Sequence, residues 1–212
     1  MFYATPIGLV KKKMLTALTR GRILERLGKD LIIEPFHEEC LGEITYDISL
    51  GPEFVFVEPH YTPIIDPENL NVRANRIYAN QIFLQPHQFV LGRSAEWIEL
   101  PNDIFVIISG KSSLARIGLE VEAAHVLHPG HKGYVVLEIS NRNTVPVKLK
   151  EGMLIAQLLF FKTEPVEPYI SKGTFGVQNY IELPNKIRFI NIKRERTKAI
   201  SPSQPRRTKS SP

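Results

Sequence analysis

Residues 104–161 read IFVIISGKSSLARIGLEVEAAHVLHPGHKGYVVLEISNRNTVPVKLKEGMLIAQLLFF. Residues 104–109, 133–140, 145–150 and 153–161 are short runs rich in β-branched, aromatic and leucine side chains, set apart by Gly, Pro, Asn and Lys. Such runs, bounded by turn residues, read as strands. Working outward, the same texture recurs at 31–36 (LIIEPF), 44–50 (ITYDISL), 53–58 (EFVFVE), 76–79 (RIYA), 81–86 (QIFLQP), 88–92 (QFVLG), 97–101 (WIELP) and 186–192 (KIRFINI). Regular short strands with no helices between them predict an all-β sandwich or barrel and disfavour a parallel α/β sheet. The one helical pattern is 16–28, where Ile23, Leu24 and Leu27 recur at three-to-four spacing. Thr19 is the candidate N-cap and Gly28 the stop.

The chain has 212 residues, 43% hydrophobic and 23% charged, an ordinary globular composition. No apolar run approaches the roughly 18–20 residues of a membrane helix. The N-terminus lacks the pattern of a secretory signal. A lone cysteine, Cys40, fits a reducing, cytoplasmic setting and leaves a cysteine-based zinc site without ligands. The net charge of +5 is uneven: residues 186–212 hold nine Lys/Arg and one Glu, so the preceding 185 residues carry −3. The expected organisation is an extension over 1–13, one β domain over 14–193, and a basic, Pro- and Ser-rich disordered tail over 194–212. Nucleic acid would be bound at most weakly, through that tail.

Gly110-Lys111-Ser112-Ser113 resembles the end of a P-loop, but Phe105 stands where the first glycine belongs, so that reading is rejected. An ammonium, two hydroxyls and the Arg116 guanidinium in one loop suit a polyphosphate; an ordinary solvated turn is the alternative. In residues 134–140, alternation sets Val135, Leu137 and Ile139 on one face and Tyr134, Val136, Glu138 and Ser140 on the other. Glu138 is then either a solvent-facing carboxylate on an edge strand or a desolvated one with a raised pKa, able to exchange protons near neutrality. His125, His128 and His131 read as a chance cluster in a polar loop rather than a ligand set, and Trp97 as a packing residue.

GKSSLARIGL, AHVLHPGHKGYVVLEISN and GMLIAQLLFF together resemble the dCTP deaminase family, relatives of the trimeric dUTPases. The likeness extends to RGRILERLGKDLIIEPF, ITYDISLG, LQPHQFVLGRSAEWIELPNDI and EPYISKGTFGVQ, roughly residues 16–180. It implies a distorted β-barrel or jelly roll, a homotrimer with sites between subunits, and hydrolysis of dCTP to dUTP and ammonia, supplying dUTP for dUMP and dTTP synthesis. Mg²⁺ would ride on the triphosphate, with no zinc; the zinc-deaminase signature is missing from the chain. By the same resemblance Glu138 activates the water, Ser112 holds the water or base, and Arg116 orients the carboxylate. Lys111, Ser113, Leu114 and Ala115 complete the nucleotide loop, Val136 and Leu137 offer backbone groups to the pyrimidine, and Gln157, Tyr169 and Gln178 contact phosphates or cover the ligand.

The family commonly reads A-H-R-I-D-P-G-W where this chain has Ala124-His125-Val126-Leu127-His128-Pro129-Gly130-His131. His128 replaces the aspartate that serves dUTPases as base, which disfavours dUTP diphosphatase activity; His128 stays in the nucleotide-binding set. Thr174 stands where the family has a phosphate-binding lysine, and Lys172 is the substitute expected. A catalytically silent nucleotide-binding trimer is the alternative these departures raise.

Overall fold

The computed structural model describes residues 15–122, 125–168, 177–185 and 187. The extension over 1–13, the tail over 194–212 and almost all of the strand expected at 186–192 lie outside them.

In chain order the elements are β1 (Thr16–Ala17), α1 (Arg20–Arg26), β2 (Ile32–Glu34), a 3-10 turn (Glu38–Cys40), β3 (Thr45–Val57), β4 (Ala74–Tyr78) and β5 (Gln81–Leu84). There follow β6 (Phe89–Glu99), β7 (Ile104–Gly110), α2 (Ser112–Ala115), β8 (Leu119–Glu122), β9 (Val126–Leu127), β10 (Lys132–Asn141), β11 (Val147–Lys150), β12 (Leu154–Lys162) and β13 (Val177–Gln178). Among the described residues the protein is mainly β, as the strand pattern requires.

One curled sheet runs β13-β10-β6-β3-β12-β7-β9, with β1, β2, β4 and β8 attached along it, and β5 pairs with β11 in a small second sheet. All ladders are antiparallel except β10–β13. Period-two alternation puts one face of each long strand inside: Tyr46, Ile48, Leu50 and Phe54 of β3, Ile98 of β6, Leu137 of β10 and Phe160 of β12 are fully buried. The apolar area removed from water drives the curl, at about 25 cal/mol per Å². Phe160→Ala is therefore expected to cost about 3–5 kcal/mol, read as a lowered urea midpoint at unchanged slope.

Several boundaries differ from the sequence reading. Thr16 and Ala17 are not helical; they pair with Lys162 and Phe161 of β12. The helix is seven residues, and Thr19 precedes it without a side-chain cap bond. What holds α1 is its far end, where Arg26 reaches Asp30 and Asp103 at 2.7 Å each. The runs at 44–50 and 53–58 are one strand, because Gly51 and Pro52 continue the extended chain. A Cβ on Gly51 would lie 2.9 Å from the Ser94 carbonyl oxygen, so glycine permits β3 to pass close to β6. The runs at 88–92 and 97–101 likewise merge into β6. Their polar join is satisfied internally: Ser49 donates to the Glu96 carboxylate through its backbone N–H and hydroxyl, and Ser94 accepts from the Val135 N–H. β8, β9 and α2 were not anticipated.

Candidate active site

Glu138 lies opposite Leu91 of β6 and Glu122 of β8, so β10 is not an edge strand at this point. The alternation expected for residues 134–140 holds: Val135, Leu137 and Ile139 are core, while Tyr134, Val136, Glu138 and Ser140 are part-buried on the other face. Between the two readings of Glu138, the structure selects the desolvated one. Its Oε2 is buried and has no hydrogen-bond partner among the described residues. Burial pushes the Glu138 carboxyl above its ordinary value and the Glu122 carboxylate adds to the shift, while its own backbone N–H and His125 oppose it.

The carboxylate faces a cavity of about 470 Å³ whose walls include Leu91, Tyr134, Val136, His128, His131 and Gln178. Gln178 Oε1 is a second buried acceptor left without a partner there. Gln178 arrives on β13, which pairs with Gly133 of β10. Gly133 has φ +137°, and a Cβ on it would fall 2.5 Å from Gln178. Only glycine lets that strand dock.

The edge of β10 beside Glu138 is partly open. β13 covers residues 132–133 and β8 covers residues 138–141. Residues 134–137 have β6 on one side and no strand of the described residues on the other. Val136 and Leu137, expected to offer backbone groups to the pyrimidine, lie in this stretch. The Leu137 side chain is fully buried in the core.

The other predicted residues gather elsewhere. Lys111, Ser112, Ala115 and Gln157 line a second cavity of about 680 Å³, together with Glu120 and Arg142. Gln157 sits between Asp47 of β3 and Ser109 of β7 in the ladders. The Lys111 ammonium is paired with the Asp47 carboxylate, so its charge holds the loop to β3. Sequence reasoning passed over Asp47, although it stands in the ITYDISLG segment. Ser113 and Arg116 are exposed, Leu114 packs on the core, and all three lie outside both cavity walls. The two cavities share no lining residue, and neither Ser112 nor Arg116 is among the walls of the Glu138 cavity. Tyr169, Lys172 and Thr174 lie outside the described residues.

His131 is buried with Nε2 3.3 Å from the Gly133 carbonyl, and burial pulls its pKa down. No three His, Cys, Asp or Glu side chains among the described residues gather as a metal-binding group. Trp97 packs edge-on against Tyr134 at 5.3 Å and donates to Glu99, as a packing residue should.

The sequence profile of the dCTP deaminase-like family matches residues 17–163. The chain is 36% identical over 158 residues to a protein of Methanosphaerula palustris named dCTP deaminase, dUMP-forming, covering 72% of this chain and 84% of the relative. It is 34% identical over 171 residues to a dCTP deaminase of Halorubrum lacusprofundi, covering 76% and 82%. Its fold is similar to the crystal structure of 2′-deoxycytidine 5′-triphosphate deaminase from Agrobacterium tumefaciens, with a TM-score of 0.57 at 19% identity. That match takes in 71% of this chain and spans about half, 49%, of the solved one.

Proposed function

Since the chain belongs to the dCTP deaminase-like family, we propose that it is an enzyme that hydrolyses the exocyclic amino group of dCTP, giving dUTP and ammonia. The observation that carries this reading is Glu138, a desolvated carboxylate with an unpartnered oxygen, next to the open backbone edge at 134–137. A cytosine pairing with that edge would place C4 within reach of a water held by Glu138. The carboxylate takes a proton as the water oxygen bonds to C4. It delivers that proton to N3, then carries the proton of the new C4 hydroxyl to the departing amine, so that the C4–N bond breaks as the carbonyl forms and ammonia leaves. Burial favours this task because it brings the carboxyl's affinity for a proton nearer neutrality.

The active unit in this reading is a homotrimer in which a neighbour's Ser112 and Arg116 complete the site. Two observations support it: one chain keeps its two cavities separate, and Ile107 and Val126, paired across β7–β9, are both exposed, with Val126 at the rim of the Glu138 cavity. Ser112, Gln157 and the donors of Lys111 and Arg142 left over from their pairs with Asp47 and Glu120 form a set suited to phosphate oxygens. Glu120, the carboxylate of that cavity, is engaged by Arg142. In this reading Mg²⁺ enters as part of the substrate, carried by the triphosphate, and Glu138 activates the water.

The names of relatives such as the Methanosphaerula protein favour a second reading, in which the product continues to dUMP. His128 supports stopping at dUTP, since an imidazole does not reproduce the carboxylate expected there. Incubation with dCTP or dUTP and Mg²⁺ separates the cases. We expect ammonia and dUTP in equal amounts and no pyrophosphate. Pyrophosphate with dUMP would establish the second reading, and nucleotide binding without turnover would leave a silent trimer.

A further inference from the structure

Glu53, on β3, is 1% exposed and sits between two guanidiniums, one from each neighbouring strand. Arg93 Nε of β6 donates to it at 2.9 Å, and Arg76 Nε of β4 lies 3.4 Å away. A carboxylate buried this deeply is costly unless its oxygens are satisfied. Its third partner comes from 128 residues further along the chain: the Ile181 backbone N–H donates to Glu53 Oε1 at 3.1 Å. Arg76 Nη2 in turn donates to the Ile181 carbonyl at 2.5 Å and stacks on the Tyr180 ring, 4.8 Å from its centroid. Both backbone groups of Ile181 are thus held by side chains, as a strand neighbour would hold them.

The Ile181 side chain, 1% exposed, packs with Val55, Leu91 and Val136. Leu91 and Val136 are also walls of the Glu138 cavity, and Gln178 and Glu182, on either side of Ile181, line the same cavity. Glu53 has a second route to that site, because Arg93 lies 3.6 Å over the Tyr134 ring, another of its walls.

We propose that Glu53 and Arg76 are positioning residues for deamination: they pin the segment at Ile181 so that Gln178 and Glu182 close the cavity over Glu138. This rests on the deaminase reading above. Neither residue touches the cavity itself: Arg76 acts through Ile181, and Glu53 through Ile181 and through the Arg93–Tyr134 stack.

The test uses the full chain with Arg76→Met, Arg76→Lys and Glu53→Gln. Arg76 is the outer, part-exposed partner, so its loss leaves the Glu53–Arg93 pair in place. Hydrogen exchange of the peptide over 177–185 is followed beside steady-state kinetics with dCTP. Arg76→Met should speed exchange in that peptide alone and lower kcat/KM by about 10–100-fold, the size expected when a site residue is misplaced. Arg76→Lys should fall between, because an ammonium keeps the charge but cannot reach both Glu53 and the Ile181 carbonyl. Glu53→Gln should follow Arg76→Met if it folds. Unchanged exchange, faster exchange with unchanged kcat/KM, or a fully active Arg76→Lys would each overturn the proposal. If the wild-type chain does not deaminate dCTP, the functional reading fails, and the exchange measurements still decide whether the pin exists.

Discussion

Glu138→Gln should reduce dCTP deamination by at least about 10²–10⁴-fold, the usual worth of a general acid–base group, while dCTP still binds. The amide keeps the volume and one acceptor toward the cavity but cannot take up the water proton. Two further measurements follow from the raised pKa. The groups near the carboxylate are Glu122 on β8, His125, and the cavity residues His128, His131 and Glu182. Activity needs the ionised carboxylate, so the acid limb of the wild-type rate profile should lie above the ordinary glutamate value of about 4.3. Stability moves the other way. Between the unfolded and folded pKa values the folded chain binds more protons, so unfolding free energy falls as pH rises through that window. Above it, Glu138→Gln relieves the cost of a desolvated charge and should melt no lower than wild type. A variant within a few-fold of wild-type turnover would remove Glu138 from the mechanism. One that is inactive and also unfolded at pH 8 would contradict the charge argument.

How much of this was legible in the sequence depended on whether a signal was local. β10 was readable because Val135, Leu137 and Ile139 alternate with Tyr134, Val136 and Glu138, and a period of two survives any tertiary context that buries one face. The joins inside β3 and β6 were not readable. Gly51-Pro52 and the run 93–96 look like turns, and it is tertiary partners that make them sheet: the Leu50–Ser94 and Arg93–Val136 pairings, the Ala79 N–H on the Pro52 carbonyl, and the Ser49–Glu96 and Ser94–Val135 hydrogen bonds. Two-residue strands such as β9 and β13 are too short to show a period. At the site, alternation singled out Glu138 while family likeness supplied its role and Gln178, and the meeting of the two in one cavity is a tertiary fact resting on the bare Cα of Gly133. Ser112 and Arg116 were named together with Glu138, yet neither lines the Glu138 cavity of its own chain. Nothing in the sequence links Glu53 to Ile181, since a contact across 128 residues carries no local pattern.

The placement of those residues leads to the second large effect. If a working site takes Glu138 from one subunit and Arg116 from its neighbour, Glu138→Gln and Arg116→Ala chains should each be nearly inactive alone and regain activity when mixed. Random exchange in a closed ring pairs an intact Glu138 with an intact Arg116 at about a quarter of the interfaces. The mixture should therefore recover on the order of a quarter of wild-type turnover, against parental activities lower by about 10²-fold or more. Subunit exchange has to be demonstrated separately, for instance with a mass-tagged copy of one variant. The exposed position of Arg116, outside both cavity walls of its own chain, is what motivates the pairing. A silent mixture after proven exchange would mean that both residues serve one chain's site. The Ser112 loop would then have to move toward β10 within the subunit, against the Lys111–Asp47 ion pair that ties it to β3.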